Sequence, residues 1–361
     1  MWKRPGGANR GGNSAFWQPR TTMAACCKQG RWAGQWVSGR AESPCRTFAR
    51  RRYRGIGGYE SRYREASLVA AVNASRVPLI VIVGETASGK SVLAMELARR
   101  FEGEIICADA TTVYQGFTIG AAKPSEKDRA EITHHLLDVA DAANGFTAAQ
   151  FKALAEQAVA DISARGKLPI MVGGSGMYVD SVLFDYQFNF IPDTYERDVL
   201  NTMSLTELLE LAHVRDLDVS GIDTANPRRI VRLIETNGKA PQRGALRKNT
   251  CVIGLRTDRE LLTTQVEKRV MQMIENGLEQ EVHRLSGRYG WDCEAMKAIG
   301  YREWRQYFEG NENMNDVRKQ IASDTMKLAK KQRTWFKRNN SIQWITDPSK
   351  AVDIATTFMN K

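Results

Sequence analysis

What this 361-residue chain lacks narrows its class at once. Its longest apolar run, around Leu79 to Val83, falls far short of the ~20 residues that a bilayer-spanning helix needs. No membrane partner is expected. Six cysteines are present, Cys26, Cys27, Cys45, Cys107, Cys251 and Cys293, and no two have C-x-x-C spacing. A disulfide framework and a zinc site are therefore not expected, and a reducing, cytoplasmic setting is. Acids are scarce in the first 76 residues. Thirteen Arg and two Lys face only Glu42, Glu60 and Glu65, so fifteen bases less three acids leave +12. This stretch has no Asp, and its first Leu is Leu68. A segment of that composition cannot bury enough apolar surface to fold.

The other residues hold 37 bases and 38 acids, or −1, so the overall charge of +11 belongs to the N-terminal stretch. Net charge is then no argument that the globular part binds nucleic acid. Residues 1–76 are read as a disordered basic extension, left by a start set too far upstream. A mitochondrial targeting segment and an RNA-binding arm are the alternatives. The targeting reading would make the location mitochondrial, but the missing leucines deny a presequence helix its apolar face.

What is there starts with Gly84-Glu85-Thr86-Ala87-Ser88-Gly89-Lys90-Ser91. This octapeptide follows the apolar run and opens an amphipathic stretch carrying Val92, Leu93, Leu97, Ala98 and Phe101. Strand, glycine-bounded loop and helix form the setting of a phosphate-binding P-loop. Its backbone N–H groups and the helix N-terminus point at an anion. Lys90 would reach the terminal phosphates, and the Ser91 hydroxyl would ligate Mg²⁺. The motif predicts a phosphate-bearing ligand without saying that it is a nucleotide.

Further strands are expected at Glu104–Ala108, Leu168–Val172 and Cys251–Leu255. Helical spacing runs through Ala148–Ala164. Alternating strands and helices predict an α/β fold, a P-loop NTPase-like parallel sheet flanked by helices. The core is expected over residues 77–186 and 250–347, with 348–361 as a tail. From about Gln187 to Asn249 the strand signal vanishes, and Leu205–Ala212 and Pro227–Thr236 read as helices of a small α-helical insertion domain.

Ligands of parallel α/β sheets sit at the carboxyl ends of strands. Asp109 closes the second strand, where a carboxylate can take a proton from an incoming nucleophile. A Mg²⁺-holding acid and a simple turn cap are the other readings of that Asp. After the Leu168–Val172 strand comes Gly173-Gly174-Ser175-Gly176. An ATPase would place an acid there, so its absence argues against ATP hydrolysis. His134 and His135 are read as structural or substrate-loop residues. Lys327, Lys330, Lys331 and Arg338 share one face of a late helix, Asp316–Asn339, and could place phosphates. Trp335 and Phe336 are read as core.

Gly84–Ser91, Asp109, Tyr114, Gly120–Pro124, His134–Asp138 and Gly173–Tyr178 together resemble the tRNA dimethylallyltransferase (tRNA isopentenyltransferase) family. The likeness continues through Asn226–Ile230, Gly277–Val282, Ala295–Glu303 and Ala329–Phe336, in order from about Pro78 to Ile345. The resemblance implies transfer of a dimethylallyl group from dimethylallyl diphosphate to N6 of the adenosine just 3′ of the anticodon in tRNA. It implies a monomer, with Mg²⁺ as cofactor. Asp109 would be the base, assisted by Lys90, Ser175 and Arg269. The donor would lie on Gly84, Glu85, Thr86, Ala87, Ser88, Gly89, Lys90 and Ser91. Asp109, Ala110, Thr111, Thr112, Ser175, Arg228, Arg229, Lys330 and Lys331 would meet the tRNA, whose stem the insertion would clasp. Four positions depart from the family pattern. Ala110 replaces Ser, Thr112 replaces a Gln that reads the base, Ser175 replaces Thr and Met326 replaces Arg. A P-loop kinase with ATP on Lys90, and a tRNA-binding relative impaired in catalysis, are the competing readings.

Overall fold

The computed structural model describes residues 77–188 and 194–360. The expectations for residues 1–76 lie outside them. The described strands are β1 (Leu79–Gly84), β2 (Gly103–Cys107), β3 (His134–His135), β4 (Leu168–Gly173), β5 (Thr250–Leu255) and β6 (Ile342–Ile345). They form one sheet in the order β3-β2-β4-β1-β5-β6, and every pairing is parallel. The helices α1 (Lys90–Arg100), α2 (Glu126–Glu131), α3 (Ala148–Ala164) and α4 (Gly176–Leu183) follow the first strands. Next come α5 (Thr194–Thr202), α6 (Leu205–Val214) and α7 (Pro227–Glu235). The chain ends with α8 (Arg259–Glu275), α9 (Leu278–Tyr289), α10 (Arg305–Phe308), α11 (Met314–Phe336) and α12 (Lys350–Met359).

β1 is central, and its six residues are all buried because helices cover both faces. Its side chains divide by the strand period of two. Leu79, Val81 and Val83 join the core beneath α3, α4, α8, α9 and α11, while Ile80 and Ile82 join the core beneath α1 and α12. Parallel pairing at the centre puts the C-terminal ends of β1, β2, β4 and β5 along one edge, where the P-loop, Asp109 and the Gly-Gly turn all emerge.

Two strands and several helices, α12 among them, escaped the sequence reading. β3 is two residues long, and β6 is an edge strand whose Gln343 and Trp344 are exposed, so neither carries an apolar run. Residues 348–361 are not a loose tail: Ala351 and Ala355 of α12 are fully buried against the α1 side of the sheet. The insertion has a core of its own, built from Leu200, Leu208, Ala212, Ile230, Val231, Leu233 and Ile234. Ser204 opens α6 with a reciprocal cap to Glu207, and Asn226 followed by Pro227 opens α7. The Gln187–Gln242 bridge, with Gln187 N–H on Gln242 O at 2.9 Å, closes its neck.

Candidate active site

The P-loop leaves β1 at Gly84, whose φ is +148° and where a Cβ would stand 2.4 Å from the Leu255 carbonyl oxygen. Only glycine fits there. Ala87 and Gly89 take left-handed φ values of 62° and 88°, and the turn delivers Lys90 as the first residue of α1. The Lys90 ammonium donates to the Glu85 carbonyl. Burial and, next, the Arg269 charge push its pKa down to about 8, against the pull of Asp109 and Glu85. Ser88 Oγ is buried without a hydrogen-bond partner, and Ser91 lines the same cavity. The Glu85 side chain departs from the expected donor role: it is buried, turned away from the loop's mouth, and paired with Arg333 of α11.

Asp109 emerges where β2 and β4 draw together. Ala108 N–H donates to Val172 O at 2.7 Å, and Ser175 N–H returns to Ala108 O at 3.3 Å. Ser175 Oγ accepts the Ala110 N–H at 2.9 Å, and Asp109 Oδ1 accepts the Thr111 N–H at 2.8 Å. Ser175 thus fixes the turn that presents Asp109, and Ala110 contributes its backbone. Thr112 is 6 % exposed, and its hydroxyl turns back onto the Asp109 carbonyl at 3.3 Å.

Two cavities meet at Asp109. One, of about 630 Å³, runs along the P-loop past Lys123, Ser125 and His134. The other, of about 410 Å³, opens between α8, α11, the Ala110–Thr111 turn and residues Lys297–Gly300. Thr86, Asp109, Ala121, Gly174, Arg269 and Gln332 line both. Gln332 sits at that waist, 8 % exposed: its Oε1 accepts the Thr86 N–H at 2.7 Å, and its Nε2 donates to Gly174 O at 3.1 Å. The wall formed by residues 118–121 is held from behind. Glu281 accepts the Ile119 N–H at 2.9 Å, the Gly120 N–H at 3.1 Å and the Tyr301 hydroxyl at 2.8 Å. The Tyr301 oxygen in turn accepts the Ala121 N–H at 3.0 Å. Cys107 lines the P-loop cavity, and burial pushes its thiol up to about 12, so it is no nucleophile.

A phosphate cradle that shares one carboxylate with a second open cavity can bring two substrates together. The family model described as IPP transferase matches residues 112–339. The tRNA dimethylallyltransferase of Anoxybacillus flavithermus is 39 % identical over 278 residues, covering 74 % of this chain and 89 % of that protein. The chain belongs to the IPP transferase family. Solved members share the fold. The tRNA isopentenylpyrophosphate transferase of Staphylococcus epidermidis superposes with a TM-score of 0.59 at 33 % identity, covering 79 % of this chain and 99 % of that one. A eukaryotic dimethylallyltransferase acting on tRNA gives 0.68 at 25 % identity, covering 79 % and 80 %.

The family site does not collect every residue expected of it. Arg269 and Lys331 line the second cavity, whereas Lys330 is exposed outside both. Arg228 is exposed on α7 and ion-paired with Glu294, and Arg229 is exposed beside it; neither lines a cavity. Lys327 is bound to Asp324 at 2.8 Å. His135 Nε2 bonds Glu104 at 2.7 Å and His134 Nδ1 bonds Ile132 O at 2.8 Å. Among the described residues no three His, Cys, Asp or Glu side chains could hold a metal. Phe336 is core at 1 % exposure, but Trp335 lines the second cavity. Sequence reasoning missed Gln332, Arg333, Glu281 and Tyr301 as site residues. All four stand in segments that resemble the family, yet a Gln or Glu inside a helical pattern carries no chemical signature.

Proposed function

We propose that this chain transfers the dimethylallyl group of dimethylallyl diphosphate to N6 of the adenosine 3′-adjacent to the anticodon in tRNA. The observation that carries the reading is the position of Asp109, at the one junction between the P-loop cavity and the second cavity. The diphosphate lies on the loop amides and Lys90, with Arg269 beside it at the waist. The acceptor base enters from the Lys331 side, out of its stack. The N6 lone pair attacks the allylic carbon, the carbon–oxygen bond breaks, and the diphosphate leaves with the bonding electrons. Asp109 takes the N6 proton. Lys90, Arg269 and the loop N–H groups are aimed at the charge that develops on the leaving oxygen.

A diphosphate-bound Mg²⁺ fits the residues present. Such an ion takes one or two protein oxygens and fills its shell with phosphate and water. Ser91 lines the P-loop cavity, and the buried Ser88 Oγ of the same loop lacks a hydrogen-bond partner. Bound there, the metal would neutralise charge on the leaving group. No helix among the described residues is long and apolar enough to cross a membrane.

The test is nucleoside mass spectrometry on unmodified tRNA incubated with protein, Mg²⁺ and dimethylallyl diphosphate. A new N6-dimethylallyladenosine is expected. Folded, donor-saturated protein that makes none overturns the proposal. Asp109→Asn should lose roughly 10²- to 10⁴-fold in transfer while still binding donor.

A further inference from the structure

A base that leaves its stack gives up face-to-face contacts that the enzyme has to replace. Of all the described residues lining the two cavities, one carries a large aromatic ring, Trp335. It is half-buried on the last turn of α11, on the acceptor side of the waist. The ring packs against the main core and is held by a hydrogen bond as well. Its Nε1–H donates to Asp180 Oδ2 of α4 at 2.8 Å. The first residue of α4, Gly176, lies so close that a Cβ there would stand 2.4 Å from the indole. Burial raises the Asp180 carboxyl above its usual range, while the indole hydrogen bond, Arg243 and Arg338 pull it down.

Lys331 stands one turn before the ring on α11, whereas Arg338 lies in the turn beyond the helix end and so does not share a helix face with Lys331; both are exposed. The Arg338 guanidinium carbon lies 5.2 Å from the ring centroid. A ring with a cation on each side of it in sequence suits a nucleotide, with the base on the ring and the flanking phosphates on the cations. Phe336, next in sequence, shows what a purely packing residue looks like here: 1 % exposed and lining neither cavity.

We propose that Trp335 is the wall against which the acceptor base lies, and that Asp180 is the positioning residue that fixes the plane of the indole. This rests on the tRNA reading above. The full chain is tested with tRNA, and with an anticodon stem-loop carrying 2-aminopurine at the acceptor position. That base has no 6-amino group to be modified, and stacking quenches its fluorescence. Trp335→Leu is expected to raise the KM for tRNA roughly ten- to a hundred-fold, the scale of one lost base–aromatic stack, with the donor KM unchanged. The same variant should abolish the quench. Asp180→Leu should lose part of both effects. Asp180→Asn should keep them, because its amide oxygen still accepts the indole N–H. Unchanged tRNA KM and quench in Trp335→Leu overturn the proposal, and so do equal rises in the tRNA and donor KM. Asp180→Asn behaving like Asp180→Leu overturns the positioning role. Wild-type protein that yields no modified nucleoside removes the reaction assigned above, and the quench then still decides the stacking claim.

Discussion

The contact that ties the P-loop to α11 can be weighed from the structure. The Glu85 side chain is 4 % exposed and that of Arg333 30 %. Glu85 Oε2 already lacks a hydrogen bond, so Arg333 is the main counterweight to a buried carboxylate. Arg333→Leu strands that charge. Breaking a buried pair from one side costs about 3–5 kcal/mol; because Arg333 keeps one face in water, the low end, about 3 kcal/mol, applies. For a folded unit of this size that is roughly 6–12 °C in Tm. The double variant Glu85→Gln/Arg333→Leu removes the stranded charge and should recover most of the loss. Both variants also free the Thr257 carbonyl, which accepts from Arg333 at 3.1 Å, so that contribution cancels between them. Thermal and denaturant unfolding of the three proteins give the answer. A single-variant loss under about 1 kcal/mol would show the pair behaving as an exposed one and refute the reasoning. A double variant no more stable than the single would assign the loss to packing of the Arg333 stem.

Other outcomes follow from the same geometry. Free Lys90 loses its proton near pH 8, well below the ordinary 10.5, so donor binding above pH 8 must restore it. Calorimetry in buffers of different ionisation enthalpy should show proton uptake approaching one at pH 9 and none at pH 6.5; pH-independent uptake would contradict it. The same depressed pKa means that the fold favours neutral Lys90, so its contribution to stability rises as pH climbs from about 8 towards 10.5. Glu104 is opposed by burial, yet hydrogen bonds from His135, Lys167 and Arg165 hold it at about 2, against an ordinary 4.5. Its stabilisation is complete above pH 4.5 and is lost as pH falls towards 2, so Glu104→Gln should flatten the acid limb of the stability curve; an unaltered limb would remove Glu104 from acid unfolding. Gly120→Ala would place a Cβ 2.5 Å from the Tyr301 ring, which is fully buried and carries the acceptor wall. A loss of about 1–3 kcal/mol is expected on unfolding, with an accompanying rise in the tRNA KM, and wild-type behaviour would show that Tyr301 can yield.

The parts of the fold legible in the sequence were those with a strong local pattern. β1, β4 and most of β5 are apolar runs because both faces are covered, β2 shows Ile105–Ala108 after the buried Glu104, and the P-loop announces itself by spacing. The edges were not legible: His134–His135 is too short for any pattern, and in Ile342–Ile345 the two exposed positions break the run. α12 was missed although Ala351, Ile354, Ala355 and Phe358 recur at helical spacing and pack on the sheet. At the site, the strand-end residues Lys90 and Asp109 were visible through motif context. Gln332 and Arg333 were not, because their partners, Thr86 and Glu85, lie about 250 positions away. Only tertiary packing brings that helix end onto the loop.

The Gly-Gly end of β4 has a steric cause, and it bears on why a P-loop here has no hydrolytic acid. A Cβ on Gly173 would stand 1.9 Å from the Ala108 carbonyl oxygen, and one on Gly174 would stand 2.2 Å from Gln332 Nε2. No carboxylate-bearing residue fits at Gly173 without parting β2 from β4, and one at Gly174 would displace the Gln332 amide that bridges to the P-loop. The close approach is what lets Ala108 donate to Val172 O and accept from Ser175 N–H, and it turns Asp109 into the waist between the cavities. The strand end that could have carried a water-activating acid is thus taken up in presenting Asp109 to the second cavity. A Gly173→Asp variant tests the trade directly. It should lose transfer by displacing Asp109 and should gain no hydrolysis of the donor, and efficient donor hydrolysis by that variant would show that the close approach is incidental.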